Sequence, residues 1–210
     1  TPGMPDSALQ RVDKIARNGD KIRDIFQNYL DTQRLLNGNL QLHFKSVDLQ
    51  ALLHTLIREV DGNLANAISL TTPGPVKVMA DAQLLSIALG NLLSNAVKYG
   101  QPGAVRIEAG RAAAGRIEIR VADSGAGVPA AMRERIFEPF VRGREDAPGT
   151  GLGLSISRML SRRMGGDLVL LPEGPGAQFL LTLPLEVPLG QGRLPVGHAL
   201  VVHQRGQVVP

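Results

Sequence analysis

Arg116–Pro129, RIEIRVADSGAGVP, begins as a strand and ends as something else. Ile117, Ile119 and Val121 point to one face, and Arg116, Glu118 and Arg120 to the other, the period-two pattern of a half-buried strand. Carried two residues further, the alternation puts Asp123 on the apolar face. A carboxylate aimed into a core is costly unless something donates to it. The residues alone leave two readings open. Asp123 accepts from a bound ligand, for which an adenine amino group is a suitable donor, and Gly125 and Gly127 let backbone come close. Alternatively, Asp123 ends the strand in an Asx turn, and the two glycines are ordinary turn residues.

On either side of this stretch the chain reads as alternating α and β. AVRIEAG (104–110) is a strand joined to it by RAAAG, and DLVLLP (167–172) and AQFLLTLPL (177–185) form a closing hairpin around EGPG. Upstream, Leu40–Asp48 and VKVMA (76–80) alternate like strands, and LQALLHTLIREVDGNL (49–64) is an amphipathic helix. Residues 81–99 predict a long helix with Asp81 as its N-cap. PAAMRERIF (129–137) predicts a short helix and residues 151–164 a longer one. At the N-terminus, Ile15, Ile22, Tyr29 and Leu36 recur every seven residues, predicting one long helix over residues 6 to 37 that wants helical partners. After Leu185 the pattern fades into a Gly/Pro-rich tail, 187–210, of no evident role.

Helix 81–99 carries a buried arc of Leu85, Ala88, Leu89, Leu92, Leu93 and Ala96 at ~100° per residue. Beside it runs a second stripe of Leu84, Ile87, Asn91, Asn95 and Lys98. Amide oxygens one turn apart can ligate a hard cation, and a lysine can meet phosphate as a point charge. The bland alternative is a polar helix edge facing water. Further on, GTGLGL (Gly149–Leu154) puts alternate glycines at the mouth of a helix, where free N–H groups and the dipole favour phosphate. It is neither GxGxxG, because Leu154 stands where the third glycine belongs, nor a P-loop.

Composition narrows the classes. The 210 residues suit one domain plus an appendage, and 43% hydrophobic with 20% charged residues is ordinary for a globular chain. The absence of cysteine excludes disulfides, thiolate metal sites and a cysteine nucleophile. A net charge of +4 without basic runs, and only 3% aromatics to stack on bases, gives nucleic-acid binding little support. No apolar run approaches the ~20 residues of a membrane span, so no membrane contact is expected of this segment.

The ordered set NLLSNAVKY, DSGAGVP, FEPF and GTGLGL closely resembles the N, G1, F and G2 boxes of the catalytic, ATP-binding domain of sensor histidine kinases, in the GHKL ATPase superfamily. The resemblance covers roughly residues 40–186. It implies a two-layer α/β sandwich with a mixed, mainly antiparallel sheet, preceded by a long helix. Residues 1–39 resemble the second helix of the dimerisation and phosphotransfer hairpin. By the resemblance, Asn91 and Asn95 hold Mg²⁺ and the phosphates of ATP, with Lys98 and Tyr99 beside them, and Asn91 and Lys98 are counted as catalytic. Asp123 binds the adenine amino group, and Gly125 and Gly127 shape its pocket. Phe137 and Phe140 belong to the F box, and Arg142 reaches a phosphate. Gly149, Thr150, Gly151, Leu152 and Gly153 close over the triphosphate. The implied partners are a cognate response regulator and a second copy of the chain, in a bacterial sensor whose membrane anchor lies elsewhere and whose catalytic segment is cytoplasmic.

Two departures qualify this. VRGREDAP (141–148) is short for a lid in this family, and the phosphoacceptor histidine box on the first hairpin helix is absent. His43, His54, His198 and His203 lie in the wrong places for it. The chain is therefore expected to bind MgATP and to pass its γ-phosphate to a histidine outside itself. Two alternatives stand beside that. One is another GHKL-type ATPase, although such enzymes usually carry glutamate where Asn91 stands. The other is a binding module that keeps the fold without transfer.

Overall fold

The computed structural model describes residues 42–60, 68–100, 105–142, 150–172 and 174–186. The helix expected over residues 6–37 and the tail from 187 lie outside these. The described elements are β1 (Lys45–Asp48), α1 (Leu49–Glu59), β2 (Ile68–Thr71), β3 (Lys77–Ala80), α2 (Ala82–Tyr99), β4 (Val105–Ala112), β5 (Arg116–Ala122), α3 (Gly153–Arg163), β6 (Asp167–Leu170) and β7 (Gln178–Pro184).

Five strands form one sheet in the order β2-β4-β5-β7-β6, antiparallel except for the parallel β2–β4 pair. β1 and β3 make a separate antiparallel ribbon. The alternation seen in Arg116–Ala122 is real: Ile117, Ile119 and Val121 are at most 2% exposed, and the residues between them are half-buried on the far face. Those three, with Ile107, Leu168, Leu181 and Leu183, meet the apolar faces of α1, α2 and α3 in one core. The result is two layers, helices on one face of the sheet.

Caps decide where the helices start. Asp48 accepts from Ala51 N at 3.0 Å and opens α1. Asp81 opens α2 as expected, its Oδ1 accepting from Gln83 N (3.1 Å) and Leu84 N (3.3 Å). Its Oδ2 accepts from His43 N at 2.9 Å, which joins the approach to β1 to the start of α2. All six residues of the arc expected to be buried on α2 are 4% exposed or less. Ser157, fully buried on α3, places its hydroxyl 2.8 Å from Gly153 O and 3.2 Å from Ala88 O, so α3 lies close against α2.

Several expectations need correction. Residues 129–137 are two 3-10 turns, Ala130–Met132 and Arg135–Phe137, where one helix was expected. A proline leads in, and only Ile136 is buried among the six residues of the two turns, so little burial is available to hold a longer helix. α1 stops at Glu59, with Val60 already extended, and α3 begins at Gly153 and not at 151. His43 precedes β1 and does not belong to a strand. The strand β2 has no counterpart in the sequence reading; its four residues owe their conformation to pairing with β4.

At the edge of the sheet, Arg158 Nε and Arg162 Nε meet Asp167 Oδ1 at 3.2 and 2.9 Å and clamp α3 to β6. Burial alone raises the Asp167 carboxyl, but hydrogen bonds from Arg162 and Arg158 outweigh it and hold the group below its ordinary value of 3.8. A depressed carboxylate contributes stability that is present above the unfolded-state value and lost as pH falls through the folded one. Asp167→Asn should therefore lower the melting temperature near neutrality, and the deficit should shrink as pH drops from about 5 toward about 3. Thermal unfolding of both proteins across that range checks this; a constant deficit refutes it.

Candidate functional site

The second stripe of α2 faces the start of α3. Asn91 Nδ2 donates to Gly153 O at 3.4 Å, which commits the amide nitrogen and leaves Oδ1 as an acceptor. Asn95 follows one turn later, half-buried, and Lys98 and Tyr99 at the helix end are exposed, Tyr99 by 42%. Two amide oxygens at the border of the core suit a hard cation, whose oxygen ligands they resemble. Thr150 Oγ1 accepts from Leu152 N at 3.3 Å, and Leu152 is buried, so the described end of the glycine loop is anchored against the helix it introduces. Gly149 falls outside the described residues.

Asp123 stands just past the end of β5 and is 7% exposed. Its Oδ1 accepts from Gly125 N at 2.8 Å, an Asx turn, and from Ala177 N at 3.1 Å. The two readings of the sequence are therefore compatible: the carboxylate is buried on the apolar face and also closes the turn. Both of these bonds fall on Oδ1, so Oδ2 is the oxygen available to a ligand donor.

Gly125 is required by close approach. A Cβ there would run into Tyr99 O and stand 3.1 Å from Asp123 Oδ1. This contact carries the end of α2 over the G1 segment, so the amide stripe and the carboxylate share one wall. Gly127 backs onto the β6–β7 turn, where a Cβ would stand 3.0 Å from Gly176 O. Gly176 and Ala177 lie against Asp123, a contact the sequence does not betray; EGPG reads there as a hairpin turn and no more.

The F-box residues separate. Phe140 is 72% exposed with φ 66°, an outlier for a bulky side chain, and its N–H donates to Gly151 O at 3.0 Å. That bond holds the FEPF segment against the glycine loop. Phe137 turns the other way, edge-on to Phe179 at 6.3 Å and beneath the Arg158 guanidinium at 4.6 Å. It lines a cavity of about 380 Å³ with Ser155, Arg158, Met159, Arg162 and Arg163. None of the residues on α2 or in the G1 segment takes part in it. Arg142 is exposed at the end of the described F segment. His54 is exposed on α1, and no helix among the described residues is long and apolar enough to cross a membrane.

Residues 80–187 match the family model of histidine kinase-, DNA gyrase B- and HSP90-like ATPases. The chain is 32% identical over 171 residues to the aerobic respiration control sensor protein ArcB of Escherichia coli, covering 76% of this chain and 22% of that protein. It is 33% identical over 205 residues to the two-component sensor PprA of Pseudomonas aeruginosa, covering 87% of this chain and 22% of that one. It thus spans about a fifth of the length of these curated relatives. Among solved structures, full-length ShkA in complex with AMPPNP superposes with a TM-score of 0.74 at 30% identity, covering 90% of this chain and 41% of ShkA. The catalytic domain of histidine kinase ThkA gives 0.61 at 25% identity, over 68% of this chain and 96% of that one.

Proposed function

We infer the function of this chain from the family it belongs to, that of the histidine kinase-, DNA gyrase B- and HSP90-like ATPases, and within it from the sensor histidine kinases: it binds ATP with Mg²⁺ and presents the γ-phosphate to a histidine nucleophile. The observation that carries the reading is the single wall made by α2 and the G1 segment. On it, two amides and a buried carboxylate are joined through the Gly125–Tyr99 contact.

The division of labour follows from the chemistry of the groups. Asp123 Oδ2 accepts from the adenine amino group in a site where water is scarce. Asn91 Oδ1 and Asn95 hold Mg²⁺, which supplies charge neutralisation to the phosphates. Lys98 adds a point charge, and Arg142 reaches a phosphate oxygen. The glycine loop that leads into α3, Gly149, Thr150, Gly151, Leu152 and Gly153, closes over the triphosphate. Phosphoryl transfer asks little covalent chemistry of the protein; positioning and charge stabilisation are its contribution. The nucleophile is a histidine on a dimerisation helix, residues 1–39 are the second helix of that hairpin, 40–186 form the catalytic domain, and the 187–210 tail has no assigned part. The whole protein is a homodimer in a bacterium, anchored in the membrane elsewhere, its catalytic segment cytoplasmic and its product passed to a cognate response regulator. An asparagine at 91, where other GHKL-type ATPases usually carry glutamate, favours transfer over hydrolysis.

Calorimetric titration of the 210-residue chain with AMPPNP, with and without Mg²⁺, tests this. Binding that strengthens with Mg²⁺ is expected. Asn95→Ala should remove most of that dependence, about tenfold in affinity for one lost ligand. Equal affinity with and without Mg²⁺ in the unaltered protein sinks the cation assignment. No binding at all would favour a module that keeps the fold without the activity.

A further inference from the structure

We propose that the β6–β7 turn, through Gly176 and the main-chain N–H of Ala177, is the positioning element that makes Asp123 discriminate a 6-aminopurine from a 6-oxopurine; this rests on the ATP reading above. The sheet gives up one ladder bond at this point. β5 and β7 pair antiparallel as far as Ala122 opposite Gln178. One step further, Asp123 N donates to Ala177 O at 3.0 Å, the first half of a hydrogen-bonded antiparallel pair. Its second half belongs to Ala177 N and Asp123 O. Ala177 N donates instead to the carboxylate, Asp123 Oδ1, at 3.1 Å. The strand end is used to hold a side chain.

Gly176 makes this possible. Its φ is +81°, and a Cβ there would run into Asp123 O and lie 2.7 Å from Oδ1. A side chain at 176 would push the turn off the carboxylate and take the Ala177 N–H with it. With Gly125 N donating to the same oxygen from the other side, at 2.8 Å, the carboxylate plane is fixed by two donors. Oδ2 is left with a set direction and no freedom to turn aside.

Fixing the plane bears on selectivity. A carboxylate that can rotate retreats from the oxygen of a 6-oxopurine and softens the repulsion between two acceptors. One that cannot rotate rejects the 6-oxo group as firmly as it accepts the 6-amino group, and specificity is the difference between the two affinities. Ala177 acts through Asp123.

The test compares MgATP and MgGTP affinities by calorimetry on the full chain. Ala177→Pro deletes the N–H, and Ala177→Gly keeps it. The ATP:GTP ratio should fall about tenfold in Ala177→Pro, the worth of one hydrogen bond to a charged group, and stay within about twofold in Ala177→Gly. General loosening of the fold weakens both nucleotides alike and does not move the ratio. An unchanged ratio in a folded Ala177→Pro overturns the proposal. If that variant fails to fold, hydrogen exchange at the Ala177 amide of the unaltered protein decides. Slower exchange with saturating MgATP is expected, and identical exchange with and without it refutes the role. If Asp123→Asn leaves the ratio unchanged, the adenine assignment itself has failed. If Asp123→Asn collapses the ratio while Ala177→Pro does not, only the positioning role falls.

Discussion

Asp123→Asn should weaken ATP by about 10- to 150-fold while leaving the protein folded, because a hydrogen bond to a charged group is worth about 1.5–3 kcal/mol. The substitution is nearly isosteric. An asparagine keeps its Oδ1, so the N–H groups of Gly125 and Ala177 retain their acceptor. What changes is the other end of the side chain, where an acceptor becomes an amide donor. A donor opposes the adenine amino group and welcomes a 6-oxo group, so the preference for ATP over GTP should disappear or invert. The melting temperature should move by a degree or two at most. Asp123→Ala makes the contrast, since it strands two amides at a site only 7% exposed and should cost about 1–3 kcal/mol for each. Calorimetry with both nucleotides, beside thermal unfolding of both variants, separates the ligand role from the structural one. Unchanged affinity and selectivity in Asp123→Asn would refute the assignment.

Gly125→Ala should be the more damaging change to the fold. The added methyl occupies the space of Tyr99 O, which is backbone, and presses on Asp123 Oδ1, which the Ala177 N–H holds in place. Relief requires the end of α2 and the G1 segment to part. Overpacking of this kind costs about 1–3 kcal/mol or more. That corresponds to a fall in melting temperature of about 2–12 °C at this chain length. Nucleotide binding should fail along with it, since the same contact joins the amide stripe to the carboxylate. A variant with wild-type melting temperature and wild-type AMPPNP affinity would show that the contact is dispensable.

Legibility in the sequence follows the range of the forces involved. α2 is readable because its signals are local, an aspartate cap and an apolar arc at helical spacing. β4, β5, β6 and β7 announce themselves by alternation with clear turns between them. β2 does not, because four residues carry too little pattern and its partner lies more than thirty residues away. The two 3-10 turns read as one helix since Ala, Met and Arg favour helix, while Ile136 alone of their residues is buried. At the candidate site, the carboxylate is visible as a polar group on a face that should be apolar, and the amides as a polar stripe beside a buried arc. Ala177 leaves no trace because it acts through its main chain, and alanine in a strand-like run signals nothing. The presence of Pro and Gly in EGPG marks a turn but not what the turn touches.

The sheet register also fixes how this molecule must come together in time. β5 and β7 are neighbours across the whole strand, yet the stretch carrying the glycine loop and α3 lies between them in sequence, so about fifty residues form one closed excursion. Its two ends meet where Asp123 and Ala177 exchange hydrogen bonds. The entropy of closing such an excursion grows only slowly with its length, about 0.6 kcal/mol per doubling. Insertions or deletions in the loops of the excursion, outside α3 and β6, therefore strain the sheet very little, so those loops can vary widely in length on this frame. The cost falls on kinetics, since β7 cannot dock until the excursion closes and non-local pairing of this kind slows folding.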